Sequence, residues 1–219
     1  MKIGRIGFIL LIAFASRVSV MSTVADDFTI RATVIKVTGK AYILGVKNKV
    51  RRELKPGQTL VEGDRIITES TGGVRLLLVD GSVMGLLKNT ELLVKKSEER
   101  RRAFLVLDKG VLQGAVNKDT GSDMAIETPQ GRLSIKGTEF EISANGMASD
   151  LRVLEGAVEF DAGGSLAEVG PGQAVTAYKG RTLGLREMTA LEVTQLRQRW
   201  LLTVEDAPII QRIHHRRKR

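Results

Sequence analysis

The side chains able to do chemistry in this sequence are few. There are two histidines, His214 and His215, and no cysteine. Both histidines stand in the basic tail 212-RIHHRRKR-219, away from any apolar segment that could hold an imidazole as a base or a ligand. This argues against Ser-His-Asp and Cys-His nucleophile systems and against His/Cys zinc or iron sites. What remains is carboxylate and lysine chemistry. The tripeptide 119-DTG-121 matches the string that carries the catalytic aspartate of aspartic proteases, where two carboxylates share a proton. There it follows an apolar strand; here Asn117-Lys118 precede it and Ser122-Asp123 follow, the setting of a polar turn. Glu139 and Glu141 flank Phe140 and share one strand face, as do Ser134 and Lys136. A glycosidase-type pair needs two different environments across a cleft, so a solvated face is expected for both pairs. The run 95-KKSEERRR-102 carries the clustered arginines of an anion site, but it is more simply read as a long solvated hairpin tip between strands. No catalytic residue, metal site or cofactor site is expected.

The elements that would position these groups read as strands. In 74-VRLLLVDGSVMGLL-87, two apolar runs flank Asp80-Gly81, a pair suited to a type I′ hairpin turn. Turn residues recur at Asn89-Thr90, Asp108-Lys109-Gly110, Asn145-Gly146, 161–164, Gly170-Pro171-Gly172 and Lys179-Gly180. The runs between them, such as 103-AFLVL-107, 111-VLQGAV-116, 139-EFEI-142, 157-AVEF-160 and 174-AVTAY-178, are too short for helices. That spacing predicts an all-β fold, a β-sandwich or barrel. An internal echo links 37-VTGKAYI-43 and 56-PGQTL-60 with 154-LEGAVEF-160 and 171-PGQAV-175, as two related strand-turn units of one domain. With 42% hydrophobic and only 4% aromatic residues, the core must rest on Val, Ile and Leu. Scarce rings also disfavour a sugar-stacking surface, a role left open as a cell-wall or carbohydrate-binding alternative. A helix is expected only in 188-MTALEVTQLRQRWLL-202, where Thr189 and Glu192 have capping-box spacing and Met188, Leu191, Leu196 and Trp200 form an imperfect apolar stripe for packing on the domain edge.

The two ends differ from the body. Lys2 and Arg5, the apolar run 6–16 and the small residues 23-TVA-25 read as an export signal cleaved between Ala25 and Asp26. An uncleaved N-terminal membrane anchor is the alternative. The formal charge of +9 resides at the ends: residues 1–25 carry three cations and residues 212–219 five, with no acid, leaving +1 between them. The charge therefore gives no reason to expect a nucleic-acid face. In an exported protein, Arg216, Arg217, Lys218 and Arg219 are candidates for contact with an anionic membrane surface or acidic partner. Without cysteine, such a chain is held by burial alone.

In 128-TPQGRLSIKGTEFEI-142, Pro129 offers no N–H to a sheet and keeps Thr128 extended, while Gly131 and Gly137 permit sharp turns and close approach. Leu133, Ile135 and Phe140 supply apolar anchors. This segment closely resembles the hallmark of the FecR-type domain, a Thr-Pro turn followed by a Gly-Thr-x-Phe strand. Three further segments match in order: 57-GQTLVEGDRIIT-68, 76-LLLVDGSVMGLLKNTELLV-94, and 153-VLEGAVEF-160 followed by 171-PGQAV-175. The resemblance covers about residues 31 to 179 and places the motif on Gly63, Asp64, Thr68, Asp80, Gly81, Ser82, Thr128, Pro129, Gly137, Thr138, Phe140, Gly156, Pro171 and Gly172 as structural residues. It implies an all-β, jelly-roll-like extracytoplasmic domain, familiar from iron-siderophore sensors that regulate extracytoplasmic-function sigma factors. Those regulators carry a cytoplasmic sigma-binding region, then a transmembrane helix, then this domain; only a few residues precede the apolar run here, so the cytoplasmic region is expected to be missing, and sigma-factor control and siderophore signalling are not carried over. The expected organisation is a signal peptide at 1–25, a FecR-like domain at 26–187, a helical segment at 188–211 and a basic tail at 212–219. The expected role is a periplasmic or secreted, non-enzymatic binding or scaffold domain working through an envelope or membrane protein partner, or alternatively a signal-sensing component working with a separate membrane protein.

Overall fold

The structure, a computed structural model, describes residues 30–46, 49–95, 104–118, 124–179 and 181–203. The export signal with Ala25 and Asp26, the DTG string at 119–121, most of the 95–102 charge run and the tail carrying Arg216, Arg217, Lys218 and Arg219 lie outside the described residues.

The chain opens with β1 (Ile30–Thr38), β2 (Ala41–Leu44), β3 (Arg51–Glu53), β4 (Thr59–Val61) and β5 (Arg65–Thr68). The hairpin β6 (Gly73–Leu78) and β7 (Val83–Leu86) follows, then β8 (Glu91–Val94), β9 (Phe104–Ala115) and β10 (Met124–Thr128). The long β11 (Gly131–Ala144) and β12 (Ala148–Ala162) precede β13 (Ser165–Val169), β14 (Gln173–Tyr178), β15 (Arg181–Glu187) and one helix, α1 (Ala190–Thr203). The expected all-β fold with a short C-terminal helix is what forms.

One ladder of strands is folded into two layers around one core. The first layer runs β4, β1, β6 and β7, then the second half of β9, the second half of β11, the first half of β12, β14 and β15. The second layer runs β3, β2, β5 and β8, then the first half of β9, β10, the first half of β11, the second half of β12 and β13. Inward residues of both layers, among them Val34, Leu76, Met84, Leu112, Phe140 and Leu151 from the first and Ile43, Ile66, Leu107, Ile126, Leu133 and Phe160 from the second, form a single apolar cluster. Period-two alternation delivers them: β2, β5 and β8 each show strictly alternating buried and half-buried positions.

The three long strands that pass between layers each bend at a glycine with positive φ: Gly110 (φ 99°) in β9, Gly137 (φ 59°) in β11 and Gly156 (φ 79°) in β12. A side chain would oppose that backbone, and at Gly156 a Cβ would also come within 2.8 Å of the Gly137 carbonyl oxygen. The runs 104–107 and 111–115, and the short runs 139–142 and 157–160, are therefore parts of longer strands, because glycine here bends the ladder without ending it.

The Asp80-Gly81 hairpin forms with a different turn. Gly81 N–H donates to Leu78 C=O (2.9 Å) and Leu78 N–H to Ser82 C=O (2.8 Å). Gly81 has φ 82°, but Asp80 is not in the positive-φ region that a type I′ turn requires. Asp80 Oδ1 instead accepts the Ser82 N–H at 2.9 Å, an Asx turn that yields a three-residue bulged loop.

The internal echo has a structural counterpart. Gln58 N–H donates to Lys55 C=O (3.3 Å), and Gln173 N–H to Gly170 C=O (3.1 Å), closing two Pro-Gly turns. In each, the turn glycine donates to the strand ahead of it, Gly57 to Val34 C=O (2.7 Å) and Gly172 to Val153 C=O (2.9 Å). The strands that follow, β4 and β14, pair antiparallel with β1 and β12.

Candidate functional site

Most of the polar residues singled out in the sequence bond to backbone. Asp64, 5% exposed, accepts the N–H groups of Val61 (2.9 Å) and Val46 (3.3 Å), fixing the turn at Gly63 that leads into β5. Thr68 Oγ1 donates to Leu87 C=O (2.6 Å) and accepts from Thr90 N–H (2.8 Å), tying the two layers where β5 and β7 end. Ser82 Oγ accepts the Asn117 N–H (3.0 Å), while the Asn117 amide donates to Asp80 C=O (2.7 Å). Thr128 Oγ1 donates to Gly131 C=O (3.1 Å), closing the turn that contains Pro129. Thr138 Oγ1 lies 2.9 Å from Ala157 C=O and 3.0 Å from Lys136 C=O, pinning the β11 bend to the β12 bend. Phe140 fills the core beneath, and Pro171-Gly172 hold the turn before β14, where Gly172 C=O accepts from Met188 N–H (2.7 Å). These residues are spread along the ladder and do not converge on a common cleft.

A polar row does converge, on the outer face of the first layer. Lys36 pairs with Arg75, Arg75 with Gly85, Gly85 with Gln113, Gln113 with Glu141 and Glu141 with Arg152, across β1, β6, β7, β9, β11 and β12. The reading of Glu141 as a solvated carboxylate is corrected: its side chain is only 2% exposed. It accepts hydrogen bonds from Gln113 Nε2 (2.9 Å) and Arg199 Nη2 (2.8 Å), with Arg152 Nη1 at 3.4 Å. The helix explains the burial. Met188 and Leu196 pack on Leu154 and Ala174, so α1 lies across the outer face and brings Arg199 onto Glu141. Leu191 departs from the expected apolar stripe and is 65% exposed.

The capping box forms as spaced, with Thr189 N–H donating to Glu192 Oε2 (2.8 Å) and Glu192 N–H to Thr189 Oγ1 (3.2 Å). Arg186 adds a two-point contact to the same carboxylate at 2.8 and 3.0 Å. The Arg186 hydrogen bonds, then the Thr189 N–H, hold the Glu192 carboxyl down at about 2.

The other candidates stay apart. Ser134 and Lys136 are exposed on β11, and Glu139 is half-buried. Lys95 pairs with Glu127 (2.8 Å) and lies over the Phe104 ring at 4.5 Å. Among the described residues no group of three or more His, Cys, Asp or Glu could hold a metal, and no helix is long and apolar enough to cross a membrane. Sequence reasoning missed Arg75, Gln113 and Arg199. A single arginine inside 73-GVRLLL-78 was the available signal, since a charge in a buried strand needs a polar neighbourhood.

Residues 64–159 match the family described as FecR protein. None of the curated proteins compared matches the chain. Two crystal structures of a candidate anti-sigma factor from Parabacteroides distasonis ATCC 8503 share the fold, each at 21% identity and a TM-score of 0.53. The first superposition covers 61% of this chain and 64% of the solved one, and the second 59% and 62%. This chain thus spans less than two thirds of those solved chains, and the likeness is one of fold. Of the motif residues, Asp64 through Gly156 fall inside the family match, while Gly63, Pro171 and Gly172 lie just outside it. The Thr-Pro turn and the Gly-Thr-x-Phe strand lie within the stretch that matches: residues 64–159 carry the FecR domain match.

Proposed function

We propose that this chain is a regulatory component of an envelope signal-sensing system, exported and non-enzymatic, which acts by binding an envelope or membrane protein. The observation that carries this reading is the FecR match over residues 64–159, a family associated with the cell envelope. The fold shared with a candidate anti-sigma factor points the same way. The geometry is that of a rigid framework, since the motif side chains bond to backbone and the buried carboxylate of Glu141 is engaged by Arg152 and Arg199. A partner strand has a docking edge available: among the described residues β15 pairs with β14 on one side only, and Gly184, Leu185, Arg186 and Glu187 are exposed along it. In the same reading the basic tail contacts an anionic membrane surface or an acidic partner.

Crosslinking the protein at native level in its own cells, followed by mass spectrometry of the adducts and of the mature N-terminus, tests this. The expected result is one dominant envelope or membrane protein and a chain beginning near Asp26. Turnover of a substrate by the purified protein, or an intact Met1 in a protein retained in the cytoplasm, would overturn it.

A further inference from the structure

The polar row on the outer face holds Glu141 beside two arginines at one end and carries Lys36 and Arg75 at the other. Glu141, Arg152 and Arg199 engage one another near α1. At the far end, Lys36 and Arg75 stand side by side on β1 and β6, and the next position on β7 is Gly85. With no side chain at 85, space is left above the strand beside Arg75; a Cβ there would sit 3.9 Å from Gln113. A cleft of about 420 Å³ opens at this point. Its floor is Arg75 and Gly85, and its walls are Lys36, the loop Ser70–Gly73 and the segment Leu87-Lys88.

Three cations line this cleft, and no carboxylate among the described residues does. Arg75 is 4% exposed, Lys36 half-buried and Lys88 exposed, so the positive charge extends from a desolvated floor to an open rim. Glu69, the acid nearest in sequence to the loop, pairs instead with Arg51. Around the rim, Ser70 and Thr71 offer hydroxyls and Leu87 an apolar flank. The volume falls in the range of small-ligand sites.

We propose that this cleft binds a phosphate group carried on a small organic molecule, with Arg75 and Lys36 taking the anion, Lys88 closing over it and the organic body lying against Leu87. Three cations suit a dianion better than a single carboxylate, and a buried guanidinium gives short, charge-assisted contacts to its oxygens. The site lies apart from the β15 edge and does not depend on the partner-protein reading.

The full chain would be titrated with inorganic phosphate and with phenyl phosphate, following the amide NMR shifts of Gly72, Gly73 and Gly85. Saturable shifts centred on these amides are expected, with phenyl phosphate binding several-fold more tightly. The double variant Lys36→Gln/Lys88→Gln, whose positions are half-buried and exposed, should weaken binding by about tenfold or more with an unchanged melting temperature. Arg75→Gln should abolish binding, and a urea unfolding curve identifies any loss due to misfolding. Shifts that never saturate, or a Lys36→Gln/Lys88→Gln variant that binds like the wild type, would overturn the proposal.

Discussion

Phe140 occupies the space that a side chain at position 114 would need. Gly114 and Phe140 are direct cross-strand partners on β9 and β11, and a Cβ on Gly114 would collide with Cε1 and Cζ of the ring. The ring is 1% exposed in the middle of the core, so it has nowhere to retreat. Gly114→Val should therefore overpack the site and cost about 1–3 kcal/mol. Phe140→Ala leaves a cavity between the layers and should cost about 3–5 kcal/mol. Urea denaturation midpoints of the two variants check both values, and a neutral Gly114→Val would mean that the strands separate more easily than this packing allows.

Thr68 is a hinge pin between the layers. Its hydroxyl donates to Leu87 C=O and accepts from Thr90 N–H, and the residue is 2% exposed. Thr68→Val keeps the volume but strands both backbone groups, a loss of about 1–3 kcal/mol. Faster exchange of the Thr90 amide, measured by hydrogen-exchange NMR, should accompany the loss.

Docking of α1 depends on Glu141. Replacing it with alanine leaves Arg152 and Gln113 facing a void and removes the anchor of Arg199. The expected cost is about 3 kcal/mol, as for breaking one partner of a buried pair. Exchange protection should fall first in residues 190–199, where the small cluster of Leu154, Ala174, Met188 and Leu196 and the Arg186–Glu192 pair are left to hold the helix. Arg199→Ala, on an exposed side chain, should do less.

The first turn of α1 should be acid-sensitive. The Glu192 carboxyl is lowered from an ordinary 4.5 to about 2, chiefly by its hydrogen bonds from Arg186 and then by the Thr189 N–H. A carboxylate with a depressed folded-state value stabilises the fold above its unfolded value and loses that contribution as pH falls. Helix content near Thr189 should thus hold above pH 4.5 and decline toward pH 2. Arg186→Gln should move the Glu192 titration upward in carboxyl NMR. Because the pair is exposed, high salt should shrink the effect.

If β15 receives a partner strand, Leu185→Pro should abolish the native crosslink while leaving the core intact, because proline removes an edge N–H. Leu185 is 47% exposed and lies outside the main apolar cluster. An unchanged crosslink would move the contact to another surface.

What the sequence by itself determined is local. Alternating apolar residues specified the strands, Asp80-Gly81 the hairpin, Pro171-Gly172 a turn, and Thr189 with Glu192 the helix start, because each depends on neighbours within a few residues. The ordered Thr-Pro and Gly-Thr-x-Phe motifs were legible for the same reason, and with them the FecR resemblance. Tertiary structure decided the rest. Gly110, Gly137 and Gly156 look like strand ends in the sequence, and only the pairing of each half with a different layer makes them bends. Glu141 looks like a solvated glutamate on an alternating strand until Arg199, 58 residues later in the chain, is laid over it. The cationic cleft depends on β1, β6 and β7 lying side by side, which brings Lys36, Arg75 and Gly85 into one row. Local chemistry can choose a backbone conformation, but burial and charge neighbourhoods are set by contacts between distant segments, and those exist only once the layers close.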